Sequence, residues 1–289
     1  MSDLRAVLLE TRGLLAVSGE ESRDFLQNLI SNDVAKVTRT RAVFATLLTP
    51  QGKYLHDFFV VEMEVAGKTA LVLDTEAGRL TDLNRRLTMY KLRANVELRD
   101  VSGDFATVAA FGDGAAEAIG LGEDGGLGAD EGAARPFAGG IAFVDPRYKA
   151  LGARALLPGN EAEAALSAAG FALADDAAYD THRLELAIPD GSRDIIVDKS
   201  FPLECGFEDL HAIDFEKGCY VGQELTARTH HRGTIRKRQT QGVAVDEDSL
   251  RIAPVQLARG AHDHLACEVH AHDARTGACE LDGQIPRSA

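Results

Sequence analysis

Residues 214–224 read Asp214-Phe215-Glu216-Lys217-Gly218-Cys219-Tyr220-Val221-Gly222-Gln223-Glu224. This stretch combines a cation, a thiol, an aromatic ring, an amide and carboxylates with two glycines. Glycine lets the backbone turn and come close to another group, and Lys217, Gln223 and Glu224 offer directional polar contacts. From the residues alone, two interpretations are open: a ligand site, or a buried hydrogen-bonded turn with Cys219 as a small apolar filler.

The octapeptide Lys217–Glu224 resembles the signature of the YgfZ-type folate-binding proteins. This family supports iron–sulfur enzymes and is related to the glycine-cleavage aminomethyltransferase. The similarity continues to Arg228 and the turn 231–233 and covers about residues 4–240. Shorter stretches that also resemble the family are Arg12–Gly19, Phe25–Gln27, Asn32–Val34, Leu48–Lys53 and Tyr90–Arg93.

The resemblance implies an α+β fold like that of the aminomethyltransferase, with two mixed lobes of partly ferredoxin-like topology and a small C-terminal β-barrel. We divide the chain into an N-terminal lobe at 1–102, a second lobe at 103–235 that ends in the motif, and a barrel-like or partly disordered segment at 236–289. After about Ile252 the sequence departs from the family, so the barrel is expected to be incomplete or altered.

Local patterns point to the same fold class. Ser18 and Glu21 have the spacing of a capping box and predict a helix that ends near Ser31–Asp33. The apolar runs Val43–Leu48 and Tyr54–Met63, separated by a turn with Pro50 and Gly52, predict a hairpin. Strands joined by tight turns are antiparallel, which favours α+β over a doubly wound fold. The glycine-rich stretch 112–135 is predicted to be a mobile surface loop.

The resemblance also implies a folate site. It places Tyr179 at a stacking position, Arg183 and Glu185 in an Arg-x-Glu segment, and Asn32 and Asp57 near the ligand. A pterin is flat with a polar edge that suits a carboxylate such as Glu185, and the anionic glutamate tail suits Arg or Lys. Alternatively, Glu185 is an exposed helix carboxylate paired with Arg183.

Within the motif, Cys219 is the predicted reactive thiol. A single cysteine cannot complete a four-cysteine iron–sulfur site, so any cluster contact would be transient or shared with a partner chain. The predicted motif residues are Lys217, Gly218, Cys219, Tyr220, Gly222, Gln223, Glu224 and Arg228.

One position weakens the case for a transferase. The aminomethyltransferase carries adjacent acids on the strand after the hairpin, and this chain has His56 and Asp57 there. A general base must be the right group at hydrogen-bond distance, so the missing carboxylate favours an accessory protein and leaves enzymatic turnover open.

Two further segments leave several interpretations open. The basic segment 228–238 suits an RNA phosphate, a polyglutamate tail or no ligand at all. In the tail 253–289, a zinc site or an altered terminus would each account for a group of histidines and cysteines whose spacing matches no standard finger. No metal site is predicted. The tail residues concerned are His262, His264, Cys267, His270, His272 and Cys279.

Composition and charge exclude several classes of protein. A net charge of -14 argues against nonspecific duplex binding. No apolar run reaches the roughly 18 residues of a membrane span, and Met1–Glu10 lacks the apolar run of a secretory signal. Four cysteines in 289 residues do not form a disulfide framework. These features predict a cytoplasmic protein that does not bind membranes.

The predicted function is a tetrahydrofolate-binding accessory protein that supports the assembly or repair of iron–sulfur enzymes. Its expected partners are a tetrahydrofolate or one-carbon derivative and iron–sulfur proteins or cluster carriers. The alternatives are a folate-dependent aminomethyl or one-carbon transferase, and a folate-linked factor in tRNA modification that uses the segment 228–238 for RNA.

Overall fold

The computed structural model of the chain describes residues 4–122, 130–232, 237–241 and 254–258. The strands, in chain order, are β1 (Arg5–Leu8), β2 (Arg12–Ser18), β3 (Val43–Leu48), β4 (Tyr54–Val65), β5 (Lys68–Glu76), β6 (Glu97–Asp100), β7 (Phe105–Phe111), β8 (Ala134–Phe137), β9 (Gly140–Val144), β10 (Ala153–Pro158), β11 (Ala172–Leu173), β12 (Lys237–Gln241) and β13 (Pro254–Ala258). The α-helices are α1 (Ser22–Gln27), α2 (Leu80–Lys91), α3 (Ala115–Ala118), α4 (Ala162–Ala168), α5 (Asp176–Glu185) and α6 (Gln223–Arg232).

The first sheet has five antiparallel strands in the order β3-β4-β5-β2-β6. The position of β4 between two cores explains its continuous apolar run. Phe58 and Val60 face a core with α1 and α2, whereas Phe59 and Val61 face the opposite core. Because side chains alternate along a strand, burial of both faces demands apolar residues at every position.

The second sheet has the order β11-β1-β7-β10-β9-β8. Its outer face packs on α3 and α4 through small and branched residues such as Val108, Ala155 and Leu166. When β1 is set aside, the strand order of the second sheet is that of a split βαβ unit. The strands of the first sheet follow the same order. The predicted, partly ferredoxin-like topology is therefore confirmed. The N-terminal strand β1 lies between β11 and β7, parallel to β11.

A shared core lies between the inner faces of the two sheets. The rings of Phe59 on β4 and Phe143 on β9 have centroids 5.9 Å apart. The irregular segment 188–215 adds Ile188, Leu203 and Phe207 to this core. The first sheet therefore presents helices on one side and the second sheet on the other, and the segment that leads to the motif is part of the central packing.

Three local predictions need correction. Ser18 and Glu21 form no capping box, because the Glu21 carboxylate accepts a hydrogen bond from the backbone of Asn95, and α1 begins at Ser22 without a side-chain cap. The same helix ends at Gln27, since the backbone of Ser31 pairs with Thr46 of β3. The predicted loop 112–135 contains α3 and the start of β8, because Ile119 and Leu121 are buried against the second sheet; residues 123–129 lie outside the described part.

At the C-terminal end, the described residues contain one antiparallel pair, β12 and β13, and no closed barrel. The two sheets confirm the predicted mixed α+β class, and the predicted barrel has no closed counterpart within the described residues. The three-part division of the chain stays a prediction. The histidines and cysteines of the tail lie outside the described residues. Within the described ranges, no helix is long and apolar enough to cross a membrane.

Candidate functional site

The motif forms a loop that is anchored through a buried lysine. Lys217 is only 7% exposed, and its Nζ donates hydrogen bonds of 2.8, 2.7 and 2.8 Å to the carbonyl oxygens of Gln27, Ile30 and Asn32. These carbonyls lie at and beyond the end of α1, where helical partners run out. Burial lowers the pKa of Lys217 to about 8, while Asp33 and Asp214 act in the opposite direction. The lysine therefore ties the motif to the first lobe.

Tyr220 is the buried aromatic residue of the motif loop. Its buried ring has its centroid 5.2 Å from the Lys217 Nζ, a favourable cation–π distance. Burial raises the pKa of the Tyr220 hydroxyl to about 12. The backbone N–H of Tyr220 donates to the side-chain oxygen of Gln223 at 3.3 Å. The Gln223 side chain, at the start of α6, therefore helps to hold the loop.

Gly222 anchors the other end of the loop against the hairpin turn between β3 and β4. Its φ is +85°, and a Cβ there would lie 2.4 Å from the Thr49 carbonyl oxygen and 3.1 Å from the Cα of Gly52. Gly52 has φ +74°, and a Cβ there would lie 2.9 Å from the carbonyl oxygen of Gly222. Both glycines are thus required by a close backbone contact between two sequence-distant segments.

Between these anchors, Gly218 and Cys219 are exposed. We call residues 217–222 the thiol loop. The ammonium of Lys217 is directed to the end of α1. Glu224 and Arg228 lie on the outer surface of α6 and form an exposed ion pair at 2.7 Å. The loop therefore presents one free thiol to solvent on a support that is fixed at both ends.

A second constellation lies between the two sheets. Three guanidinium groups surround the ring of Phe59, with distances to its centroid of 4.2 Å for Arg154, 4.9 Å for Arg147 and 5.7 Å for Arg12. We call these three residues the arginine cluster. They are buried and paired: Arg12 and Arg154 contact Asp74 at 2.7 and 2.9 Å, and Arg147 contacts Asp145 at 2.7 Å. The Nε of Arg154 is buried and has no hydrogen-bond partner among the residues that the structure describes.

Asp57 extends this constellation. Its carboxylate is 6% exposed and makes no side-chain hydrogen bond within the described residues. Burial raises the pKa of Asp57 to about 6, with Arg12 opposing the shift and Asp190 adding to it. Gly191, at φ +52°, passes so close that a Cβ there would lie 3.4 Å from the Asp57 Oδ1. A buried carboxyl without a partner is thus held beside the arginine cluster. His56 faces the other side of the strand and contacts Asp82 at 3.0 Å.

Two neighbouring cavities border these residues. The inner one, about 50 Å³, contacts one face of α5 through residues spaced as i, i+3, i+4 and i+7, namely Asp176, Tyr179, Asp180 and Arg183. The outer one, about 450 Å³, is lined by Glu10, Thr11, Arg12, Glu76, Ala77, Gly78, Asp190 and Arg193. Thr11, Arg12, Asp190 and Arg193 line both. The two cavities therefore adjoin, and the inner one is also lined by Arg147 and Arg154 of the arginine cluster.

The structure brings together only some of the residues expected at the folate site. Tyr179 and Arg183 line the inner cavity; the Tyr179 ring packs 5.6 Å from Phe111, and Arg183 binds Asp180 and Asp194 at 2.7 and 2.8 Å. Glu185 is exposed and lies off that helix face, and Arg183 is not its partner.

Asn32 lies elsewhere. It lines a separate cavity of about 440 Å³, and its Nδ2 donates to the carbonyls of Phe44 and His211 at 2.8 and 2.7 Å. The folate assignments stay predictions.

The sequence analysis missed the arginine cluster, because its members come from three strands or turns that are distant in the sequence. Within the described residues, no group of three or more His, Cys, Asp or Glu could hold a metal ion.

Comparison with solved structures defines the fold class. The chain matches the glycine cleavage system aminomethyltransferase T from Bartonella henselae with a TM-score of 0.65 at 18% identity, over 82% of this chain and 65% of that one. The protein therefore has the aminomethyltransferase fold. No family model matches the sequence.

Comparison with curated proteins identifies homologues of the chain. The chain is 34% identical over 236 residues to the mitochondrial iron–sulfur cluster assembly factor IBA57 homolog of Mycosarcoma maydis, covering 78% of this chain and 54% of that protein. The proteins with the same name in Aspergillus oryzae and Neurospora crassa are each 31% identical, covering 89% and 82% of this chain and 58% and 53% of theirs. The homologues are thus iron–sulfur cluster assembly factors, in agreement with the resemblance that the YgfZ-type motif indicated. The chain spans little more than half the length of these relatives.

The comparison corrects the predicted compartment. The relatives are named as mitochondrial proteins, so the prediction of a cytoplasmic protein is wrong. That prediction rested on the lack of an apolar run in Met1–Glu10, a feature that addresses secretion and carries no information about other targeting.

Proposed function

We propose that this protein supports the assembly or repair of iron–sulfur clusters in partner proteins, with the thiol of Cys219 as its point of contact. The observation that carries the proposal is the construction of the thiol loop. An exposed Cys219 lies between a lysine with three buried hydrogen bonds and a glycine locked against a hairpin turn. Such preorganisation is what a functional side chain needs and what a packing cysteine does not.

The homologous proteins support the same function, since they are named as iron–sulfur cluster assembly factors. A single exposed thiol leaves the remaining ligands of any cluster to another chain. The partner class is therefore an iron–sulfur protein or a cluster carrier that supplies further thiolates.

We further propose that the cavities beside the arginine cluster bind a tetrahydrofolate-type ligand. The outer cavity, at about 450 Å³, falls in the usual range for small-molecule sites. Glu76 and Asp190 in its lining, with Asp57 beside them, offer carboxylates to the N–H groups of a pterin edge. Arg193 is about half exposed at the mouth and suits an anionic tail. The Arg154 Nε, which has no hydrogen-bond partner within the described residues, and the neighbouring Asp57 carboxyl are the groups that a polar ligand would satisfy.

A folate-dependent transferase is less well supported. Only Asp57 of the pair His56 and Asp57 is directed toward the cavity side, since alternate strand residues face opposite ways. A role in tRNA modification rests on the segment 228–238, in which the structure shows the Arg228 side chain paired with Glu224 and does not describe those of residues 229–238.

The proposed function is tested by complementation. A strain that lacks its own member of the family would receive this chain, directed to the compartment of the missing protein. We expect the chain to restore the activity of an iron–sulfur enzyme relative to an iron-free enzyme of the same compartment. Full restoration of growth with no change in that ratio would refute the proposal.

A further inference from the structure

Large hydrophobic side chains are exposed near the end of α2. Met89, Tyr90 and Leu92 are 60%, 40% and 89% exposed and lie within four residues. Single exposed hydrophobic residues are common on protein surfaces and need no explanation, but several within one turn point to an interaction. Tyr90 continues the face of α2 that carries the buried Leu83 and Leu87, whereas Met89 lies on the opposite face and Leu92 lies just beyond the helix.

Leu92 is held in a conformation that its own side chain does not favour. Its φ is 44° and its ψ is -103°, a positive φ that L side chains rarely adopt. No burial compensates for this strain, because the side chain projects into solvent. Strained residues persist where the surrounding structure imposes them, and such places are often ligand or partner sites.

The segment that follows Leu92 imposes this geometry. The N–H of Ala94 donates to the carbonyl of Lys91 at 2.8 Å, and the N–H of Asn95 donates to the Glu21 carboxylate. Gly19 packs against Asn95 so closely that a Cβ at residue 19 would lie 2.3 Å from the Asn95 carbonyl oxygen. The turn is therefore rigid, and it presents Leu92 before any partner binds.

The charges around these residues are basic. Lys91 and Arg93 make no ion pair within the described residues, whereas the neighbouring Arg85 is already paired with Asp82. The whole chain carries a net charge of -14, so two free cations beside three exposed hydrophobic side chains form a local exception. We call residues 89–93 the basic knuckle. The positive charge of the basic knuckle is complementary to an acidic surface, and its apolar side chains would pack against apolar side chains of a partner.

We propose that the basic knuckle is the docking surface for an acidic protein segment that carries apolar side chains. A protein partner fits better than a lipid surface, because an interfacial helix needs a long apolar face and that of α2 is buried in the core. The proposal is independent of the thiol loop and of folate, and it concerns recognition rather than chemistry.

The experiment uses a tryptophan reporter in the full chain, which has no natural tryptophan. Tyr90→Trp reports on the knuckle, and Tyr148→Trp, at a residue 45% exposed, is the matched control. The probe is a 20-residue synthetic peptide of Glu and Leu, compared with versions in which Ser replaces Leu or Lys replaces Glu. We expect a saturable blue shift only for Tyr90→Trp and only with the Glu and Leu peptide, weakened at least fivefold by 0.5 M salt.

Further variants separate the contribution of charge to peptide binding from that of the Leu92 side chain. In the Tyr90→Trp background, Lys91→Glu with Arg93→Glu should weaken binding at least tenfold. Leu92→Gly should weaken binding at least threefold while the melting temperature stays the same or rises, because glycine accepts the positive φ. Equal responses at both reporters, or binding unaffected by charge reversal, would overturn the proposal. A larger shift with vesicles of phosphatidylserine than with the peptide would also overturn it, in favour of a membrane surface.

Discussion

At the residue scale, Lys217 shows how a charged side chain can be structural within a functional motif. The sequence suggests a ligand-binding cation, but the structure uses all its hydrogen-bonding capacity on three backbone carbonyls. Lys217→Met would leave these carbonyls without their donor. We expect a loss of about 2–4 kcal/mol in the free energy of unfolding, measured by urea denaturation.

The control for this change is Lys36→Met. Lys36 is about half exposed and pairs with Asp214 at 2.7 Å, so its removal should cost less than about 1 kcal/mol. Similar losses for both lysines would show that Lys217 is not an anchor of the thiol loop.

Asp57 makes stability depend on pH in a defined direction. Burial raises the pKa of Asp57 from its usual 3.8 to about 6 in the folded protein. The folded state therefore binds more protons between these values, and the contribution of Asp57 to stability is present below about pH 4 and lost as the pH rises through about 6. Relative to the wild type, Asp57→Asn should gain up to about 3 kcal/mol between pH 4 and 7.5.

Urea denaturation at several pH values tests this, with Asp113→Asn as the control at an exposed aspartate. The Asp113 variant should follow the wild type at every pH. A pH-independent difference between Asp57→Asn and the wild type would mean that the carboxyl has an ordinary pKa.

Arg183 and Glu185, which the sequence resemblance treats alike, should behave differently. Arg183→Ala removes the buried guanidinium that donates to the Ile188 carbonyl and to Asp194, and Asp194 keeps only its other contacts, such as the backbone N–H of Asp190, so we expect about 3 kcal/mol of destabilisation and weaker folate binding. Glu185→Gln should change neither, because the side chain is exposed and off the cavity face. Calorimetric titration with 5-formyltetrahydrofolate measures the affinity, and a weaker affinity in Glu185→Gln would restore that residue to the site.

At the element scale, the contact between the hairpin turn and the motif positions the thiol loop. Gly222 and Gly67 both have positive φ, but only Gly222 has backbone atoms where a Cβ would be. We expect Gly67→Ala to cost about 1 kcal/mol from the backbone alone. Gly222→Ala should cost at least twice as much, because the loop or the turn must move.

The rate at which a thiol reagent modifies Cys219 provides a second readout for this pair. Displacement of the loop should change that rate in Gly222→Ala and leave it unchanged in Gly67→Ala. Identical rates in both variants would mean that the turn does not position Cys219. The measurement uses a background with Cys267→Ser and Cys279→Ser, in which Cys219 and the buried Cys205 are the remaining thiols.

Elements whose sequence pattern is local were predictable, and those set by distant partners were not. Strands β3 and β4 follow from the apolar runs Val43–Leu48 and Tyr54–Met63 and the turn between them. The capping box failed because Glu21 meets Asn95, 74 positions away along the chain. The ordered part of the glycine-rich stretch was missed because its few apolar residues, Ile119 and Leu121, gain burial only from the second sheet.

At the scale of the whole molecule, the motif predicted the fold class but not the way the site is assembled. The placement of β1 in the second sheet and the arginine cluster around Phe59 both depend on packing between segments from different parts of the chain. Of the candidate site, the exposed thiol and the glycines that frame it came from the motif. The buried arginines carry no local signal, since an arginine beside a strand is usually a surface residue.

The central claim is that the thiol of Cys219 acts on iron–sulfur clusters and that folate binds elsewhere in the molecule. The most direct test compares Cys219→Ser with Cys205→Ala in the complementation strain and in folate titrations of the purified proteins. We expect Cys219→Ser to lose the restored iron–sulfur enzyme activity, with melting temperature and folate affinity unchanged, while Cys205→Ala keeps the activity. Full activity in Cys219→Ser would contradict the account.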